Sequence, residues 1–235
     1  MIRNFKQKTA SLIQLFRHPE IKQISDEALT YIQPDALLAI KKTVKRIEEE
    51  KIAGLFIEAG CALGGSAILI GLTKKKERNF FVYDVFDIIP PPSEKDGADV
   101  IKRYEEIKAG TSKGINNNIY YGYEKDLKEK VIQNMNRYGL GHTDDHVHLV
   151  EGLYQDTLKI NEPVAFAHID CDWYESVMTC LVQVVPHLSA GATMIIDDYY
   201  WWSGCRTATD EYFAGKKHQF LIRKVAGKLH VTKKK

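Results

Sequence analysis

Apolar residues along this 235-residue chain fall into two alternating patterns. Between Pro34 and Lys51, Leu37, Leu38, Ile40, Val44 and Ile47 recur at helical spacing behind a proline suited to a first turn, and residues 1–50 predict as helices. Short apolar runs follow, each closed by a turn: GLFIEAG (Gly54–Gly60), NFFVYDVF (Asn79–Phe86), HVHLVEG (His146–Gly152), PVAFAHID (Pro163–Asp170) and GATMIIDDYYWW (Gly191–Trp202). Helical stretches SAILIGLTKKK, YESVMTCLVQVVPHL and CRTATDEYFAGKK are interleaved with them, and FLIRKVAGKLHVTK closes the chain with one or two strands. Apolar strands alternating with helices predict an α/β fold, a mostly parallel sheet covered on both faces. Ligands of such sheets bind beyond the carboxyl ends of the strands. The residues to weigh are therefore Glu58, Asp84, Glu151-Gly152, Asp170 and Asp197-Asp198, which end strands. One connection, from Asp87 to about Asp145, is far too long for a simple crossover and is expected to cover the ligand edge. The expected organisation is a helical segment over 1–50 and a main domain over 51–235, with the insertion at 87–145.

Composition narrows the class without adding chemistry. A hydrophobic fraction of 44% and a charged fraction of 27% are ordinary for a globular chain with a sizeable core. A net charge of +2 gives no global reason to expect nucleic acid, and the basic ends (Arg3, Lys6, Lys8, Lys233-Lys234-Lys235) read as solvated tails. No apolar run reaches membrane-spanning length, and MIRNFKQKTASLIQLF lacks the continuous apolar stretch of a signal peptide. Cys61, Cys171, Cys180 and Cys205 form no CxxC pair, so neither structural zinc nor a disulfide framework is expected, and the cytoplasm is the simplest compartment.

The strand ends suggest a nucleoside and a cation. Gly60, Gly64 and Gly65 in EAGCALGGS form a turn that lets backbone approach a ligand, though the pattern is neither GxGxxG nor a P-loop; a plain tight turn is the alternative. Glu58 before it would repel a pyrophosphate and suit a cationic ligand. Asp84 ends the second strand at the position of the acidic residue that takes ribose hydroxyls in nucleoside-binding sheets. Together they favour S-adenosylmethionine over NAD. Asp170 ends the fourth strand and Asp197-Asp198 the fifth, and neighbouring strands are about 4.8 Å apart. Carboxylates brought that close repel one another, and a hard cation such as Mg²⁺ resolves the conflict. Helix caps and solvated turn residues are the alternative, and Asp172 reads as a cap for the helix starting near Tyr174.

In this order and spacing, IEAGCALGGS, YDVFD, VEGLYQDTL, HIDCDWYES and IIDDYYWWSGCRTATDEY resemble the macrocin O-methyltransferase (TylF/MycF-like) family of sugar methyltransferases, over roughly residues 28–215. The resemblance implies a class I methyltransferase fold with a seven-stranded sheet, S-adenosylmethionine as donor, and Mg²⁺ held by Asp170, Asp197 and Asp198. It implies that Glu58, Gly60, Ser66 and Asp84 face the cofactor, with Gly152, Gln155 and Asp170 beside them. Tyr31-Ile32 stand where the family usually reads Thr-Met-Val and are assigned to the same contact. Asp170 is the expected proton acceptor. The acceptor would be a sugar hydroxyl, on a nucleotide sugar, a surface glycan or a glycosylated natural product; the Lys-, Ile- and Asn-rich composition leans toward a cell-surface sugar. A catechol-like diol and a catalytically silent nucleoside-binding module are the other readings.

Other residues carry weaker signals. His168 shares a strand face with Asp170 and reads as a packed histidine or a base. His142, His146 and His148 straddle strand faces. Tyr120, Tyr121, Tyr123, Trp201 and Trp202 suit either stacking on a ligand or packing of the cover. Arg206 would pair with Asp210 at i+4 or reach a phosphate. The apolar stripe of Pro34–Lys51 also suits a dimer contact.

Overall fold

The computed structural model describes residues 17–141 and 145–235. Seven strands form one sheet in the order β3-β2-β1-β4-β5-β7-β6. β1 (Leu55–Ala59), β2 (Phe80–Asp84), β3 (Val147–Glu151), β4 (Val164–Ile169) and β5 (Leu188–Ile196) are parallel, and β7 (Lys228–Lys233) is inserted antiparallel between β5 and β6 (Phe220–Val225). Every residue of β1 and β4 is buried, as their unbroken apolar runs require of central strands covered on both faces. The fifth strand starts earlier and stops sooner than its sequence pattern suggests. It opens at Leu188, and Asp198–Tyr200 turn into a short 3₁₀ segment, so Tyr199 to Trp202 leave the sheet.

Two helices precede the sheet: α1 (Pro19–Asp26) and α2 (Pro34–Glu49). Pro34 opens α2 behind an extended Gln33. Leu37, Ile40, Val44 and Ile47 on α2 are within 1% of full burial and join Ile21 and Ile24 of α1 in the core shared with the sheet. The stripe is thus consumed inside the chain and leaves no face for the dimer contact expected of it. α3 (Gly65–Thr73), a four-residue α6 (Tyr154–Thr157), α7 (Tyr174–Val184) and α8 (Ser203–Phe213) follow strands. No helix among the described residues is long and apolar enough to cross a membrane.

The long connection folds as α4 (Ala98–Lys108), two 3₁₀ turns and α5 (Leu127–Arg137). Its attachments are specific. Asp96 accepts the N–H of Tyr174 at 2.9 Å and Asp99 that of Ser203 at 2.9 Å, so the insertion caps the first turns of α7 and α8, neither of which has a cap of its own. The Trp173 indole N–H donates to the Pro90 carbonyl at 3.0 Å, and Asn134 of α5 donates to the Leu63 carbonyl at 2.9 Å.

Candidate active site

Strand order reverses between β1 and β4, and their carboxyl ends meet tightly. The Asp170 N–H donates to the Ala59 carbonyl at 2.8 Å, and a Cβ on Gly60 (φ 89°) would lie 2.0 Å from the Asp170 carbonyl oxygen. Only glycine fits that position. Asp84, at the end of β2, accepts the N–H groups of Cys61 and Phe86, both at 2.8 Å, and so holds the glycine turn; burial pushes its carboxyl up against these bonds. Gly65 N–H donates to Leu29 O at 3.0 Å, which brings the Thr30–Gln33 segment over the same edge.

Two cavities open there and share Gly60, Asp84, Tyr121, Asp170 and Asp172. One, of about 340 Å³, runs past Asp87, Pro90 and Gln155. The other, of about 330 Å³, is bounded by Tyr31, Ile32, Ser66, Arg103, Trp201 and Lys228. Tyr121 is a wall of both. Tyr120 is buried beneath the Arg103 guanidinium, 5.5 Å from its ring, and Trp201 is 71% exposed at the second cavity. The Tyr123 hydroxyl donates to the Ile107 carbonyl at 2.6 Å and ties the second 3₁₀ turn of the insertion to its α4; it lines neither cavity.

Carboxylates crowd this edge in two overlapping sets. Ligand atoms of Asp170, Asp172 and Asp198 lie within 4.8 Å of one another, as do those of His168, Asp170 and Asp197. Burial and the Asp197 and Asp198 charges push Asp170 well above the usual carboxylate range, and burial and Asp198 do the same to Asp172. Burial and Asp197 raise Asp198 as well. Asp197 goes the other way: burial is outweighed by the neighbouring His168 and Lys228, and its carboxyl is lowered. Lys228 Nζ donates to Asp197 Oδ2, while Oδ1 lies 3.5 Å from His168 Nε2. His168 Nδ1 is 2.7 Å from Glu58 Oε1, and both side chains are fully buried. Burial alone would lower the imidazole, yet Asp197, Glu58 and the Asp170 charge carry it up to about 10. The register explains the row: Glu58 of β1 pairs with His168 of β4, and Asp197 follows the end of β5.

Several expectations change. Asp172 is no helix cap. It has a left-handed φ of 60°, Trp173 occupies the cap position, and the first amide of α7 goes to Asp96. Its carboxylate joins the acidic cluster instead. Glu58 lines neither cavity, since its side chain is turned onto His168, and Gly152 lines neither, its N–H being spent on the Asp84 carbonyl at 3.0 Å. Arg206 donates to the carbonyls of Tyr199 and Tyr200 at 3.2 and 3.3 Å, whereas Asp210 takes the Tyr199 hydroxyl at 2.9 Å. His146 and His148 turn to Asn79 at the far end of the strands, and His142 lies outside the described residues. Lys228 and Arg103 escaped notice because a lone lysine in a hairpin and a lone arginine in a helix carry no sequence signal.

Residues 20–228 match the family model described as Macrocin-O-methyltransferase (TylF). The chain belongs to the macrocin-O-methyltransferase family. A relative named demethyldecarbamoylnovobiocin O-methyltransferase, from Streptomyces niveus, is 28% identical over 193 residues, 80% of this chain and 68% of that one. A second, from Streptomyces olivaceus, is named 8-demethyl-8-(2,3-dimethoxy-alpha-L-rhamnosyl)-tetracenomycin-C 4'-O-methyltransferase and is 31% identical over 176 residues, 72% of this chain and 61% of that one. The solved O-methyltransferase NovP superposes with a TM-score of 0.73 at 25% identity, covering 88% of this chain and 83% of NovP. An O-methyltransferase from Bacillus cereus in complex with SAH (14% identity, TM-score 0.55, 92% and 91% coverage) shares the fold. The class I methyltransferase architecture read from the sequence is the one the macrocin-O-methyltransferase relatives have, with the same mixed seven-stranded sheet in this chain.

Proposed function

We propose that this chain transfers a methyl group from S-adenosylmethionine to a sugar hydroxyl of a glycosylated small molecule, with a divalent cation, Mg²⁺ above others, at the acidic strand ends. The observation that carries the reading is the gathering of the Asp170, Asp172 and Asp198 carboxylates where the two cavities meet. An all-oxygen set in which Asp198 raises the pKa of both Asp170 and Asp172 fits a hard cation, and Asp197 Oδ1 beside it is a buried oxygen with no hydrogen bond, 3.5 Å from His168 Nε2. The donor would lie across Gly60, with Tyr31, Ile32 and Ser66 on one side and Asp84 and Gln155 on the other. Glu58 and Gly152 support this surface from behind, and a cationic sulfonium suits the negative surroundings.

When bound, the cation supplies Lewis acidity and a template for the acceptor oxygen, and the sulfonium supplies the methyl group. The chain's own residues do the rest. Tyr121 and the insertion wall the meeting point, and the partial burial of the carboxylates there strengthens their charge interactions. Asp170 stands between both carboxylate sets and is placed to accept the hydroxyl proton. A second reading makes Asp172 the acceptor, since it belongs to one carboxylate set only. The relatives' glycosylated substrates move the weight from the cell-surface sugar that composition favoured to a glycoside of the natural-product kind. Four free, buried cysteines support a reducing compartment, the cytoplasm.

Titration calorimetry with S-adenosylmethionine, with and without Mg²⁺, tests the donor and the cation. Asp170→Asn and Asp198→Asn should keep donor binding and lose turnover; EDTA-resistant activity in either sinks the cation role. A methylation screen of rhamnosides, nucleotide sugars and catechols should favour a sugar, and preference for catechols would reverse the assignment.

A further inference from the structure

Lys228 is placed by a turn and a strand direction. Ala226 and Gly227 both have positive φ (47° and 81°) in the two-residue turn joining β6 to β7, with Val225 paired to Lys228. Because β7 runs antiparallel to β5, with Ile196 opposite Leu229, the residue that opens β7 stands beside the residue that follows β5. The Lys228 side chain is 11% exposed, and its ammonium donates to Asp197 Oδ2 while feeling the charges of Asp170 and Asp198. Asp197 therefore has a cationic partner beside each oxygen, Lys228 at Oδ2 and His168 at Oδ1, unlike the other three aspartates. The same ammonium faces the second cavity.

We propose that Lys228 is a resident monovalent counter-ion that competes with the divalent cation for the acidic strand ends, so that full loading requires Asp197 to exchange its lysine contact for the metal. The inference rests on the cation reading above and deepens it. Two effects act in the same direction. An ammonium in this half-buried edge repels a dication entering it, and it occupies an oxygen that the dication could use. While the lysine is in place, Asp170, Asp172 and Asp198 are the carboxylates free to receive a cation; with the lysine displaced, Asp197 adds a fourth. The lysine also keeps the edge partly neutralised when the metal leaves, which makes the cation exchangeable between turnovers instead of a permanent part of the fold.

The test is titration calorimetry with MgCl₂ on the full chain, wild type against Lys228→Met, Lys228→Gln and Lys228→Arg. The Met and Gln variants should bind Mg²⁺ about tenfold or more tighter than wild type, and the Arg variant within about threefold of it. In EDTA the Met variant should melt below wild type, and MgCl₂ should close that gap. Affinity for S-adenosylhomocysteine verifies that each variant is folded, and the neutral but polar Gln variant stands in should the Met variant fail to fold. Unchanged or weaker Mg²⁺ binding in folded Met and Gln variants overturns the competition while leaving the metal reading intact. Absence of Mg²⁺ binding in wild type and every variant overturns the metal reading and the competition together.

Discussion

Replacing His168 by leucine should be among the most destabilising single changes in the sheet, for a reason that can be worked through atom by atom. The imidazole is fully buried, 2.7 Å from Glu58 and 3.5 Å from Asp197. Its loss is not shared equally. Asp197 keeps Lys228, whereas the fully buried Glu58 loses the one ion-pair partner it has among the described residues. Removing one partner of a buried pair costs about 3–5 kcal/mol, because the other charge is left unpaired. For a chain of this size each kcal/mol corresponds to roughly 2–4 °C, so the melting temperature should fall by about 6–20 °C. The double variant Glu58→Leu/His168→Leu removes both partners and should recover most of the loss, to within about 1–2 kcal/mol of wild type. Differential scanning calorimetry in EDTA on the two single variants and the double one closes the cycle. A cost under about 1 kcal/mol for His168→Leu, or strict additivity of the two changes, would refute the buried charge row as described.

Three further outcomes follow from other parts of the structure. Arg78 grips Glu48 with two bonds, 2.7 and 2.8 Å, and outweighs the burial that would raise this carboxyl, leaving its pKa below the ordinary 4.5. The pair's stabilisation is therefore present above about pH 4.5 and lost as pH falls below it, so Glu48→Gln should cost about 1.5–3 kcal/mol at neutral pH by urea denaturation and progressively less in acid; a penalty that grows in acid would contradict this. Gly60→Ala forces a Cβ to within 2.0 Å of the Asp170 carbonyl at positive φ and should cost about 3 kcal/mol or more, with weakened donor binding, so a variant of wild-type stability would disprove the tight β1–β4 approach. Trp201→Ala removes an exposed ring and should leave stability and S-adenosylhomocysteine affinity alone while raising the KM for a glycoside acceptor about three- to tenfold; an unchanged KM removes this residue from the acceptor site.

The sequence by itself determined the strands, the sheet class and the edge where chemistry gathers. Unbroken apolar runs such as PVAFAHI, short and bounded by turn residues, suit strands buried on both faces, and the residues that end parallel strands emerge together at one edge. The macrocin-type motifs were legible for the same reason, because they lie at those strand ends. Register and crossing decided the rest. Asp172 looked like a helix cap because a carboxylate before a helix usually is one; only the folded insertion shows that Asp96 takes that amide and releases Asp172 into the cluster. Glu58 looked like a cofactor contact until the β1–β4 register put it opposite His168. Lys228 became part of the site through the antiparallel insertion of β7, a pairing between segments 31 residues apart that no local pattern encodes. Local periodicity reports what each segment buries; which charges then face one another depends on strand order and direction, and those are set by the packing of the whole chain.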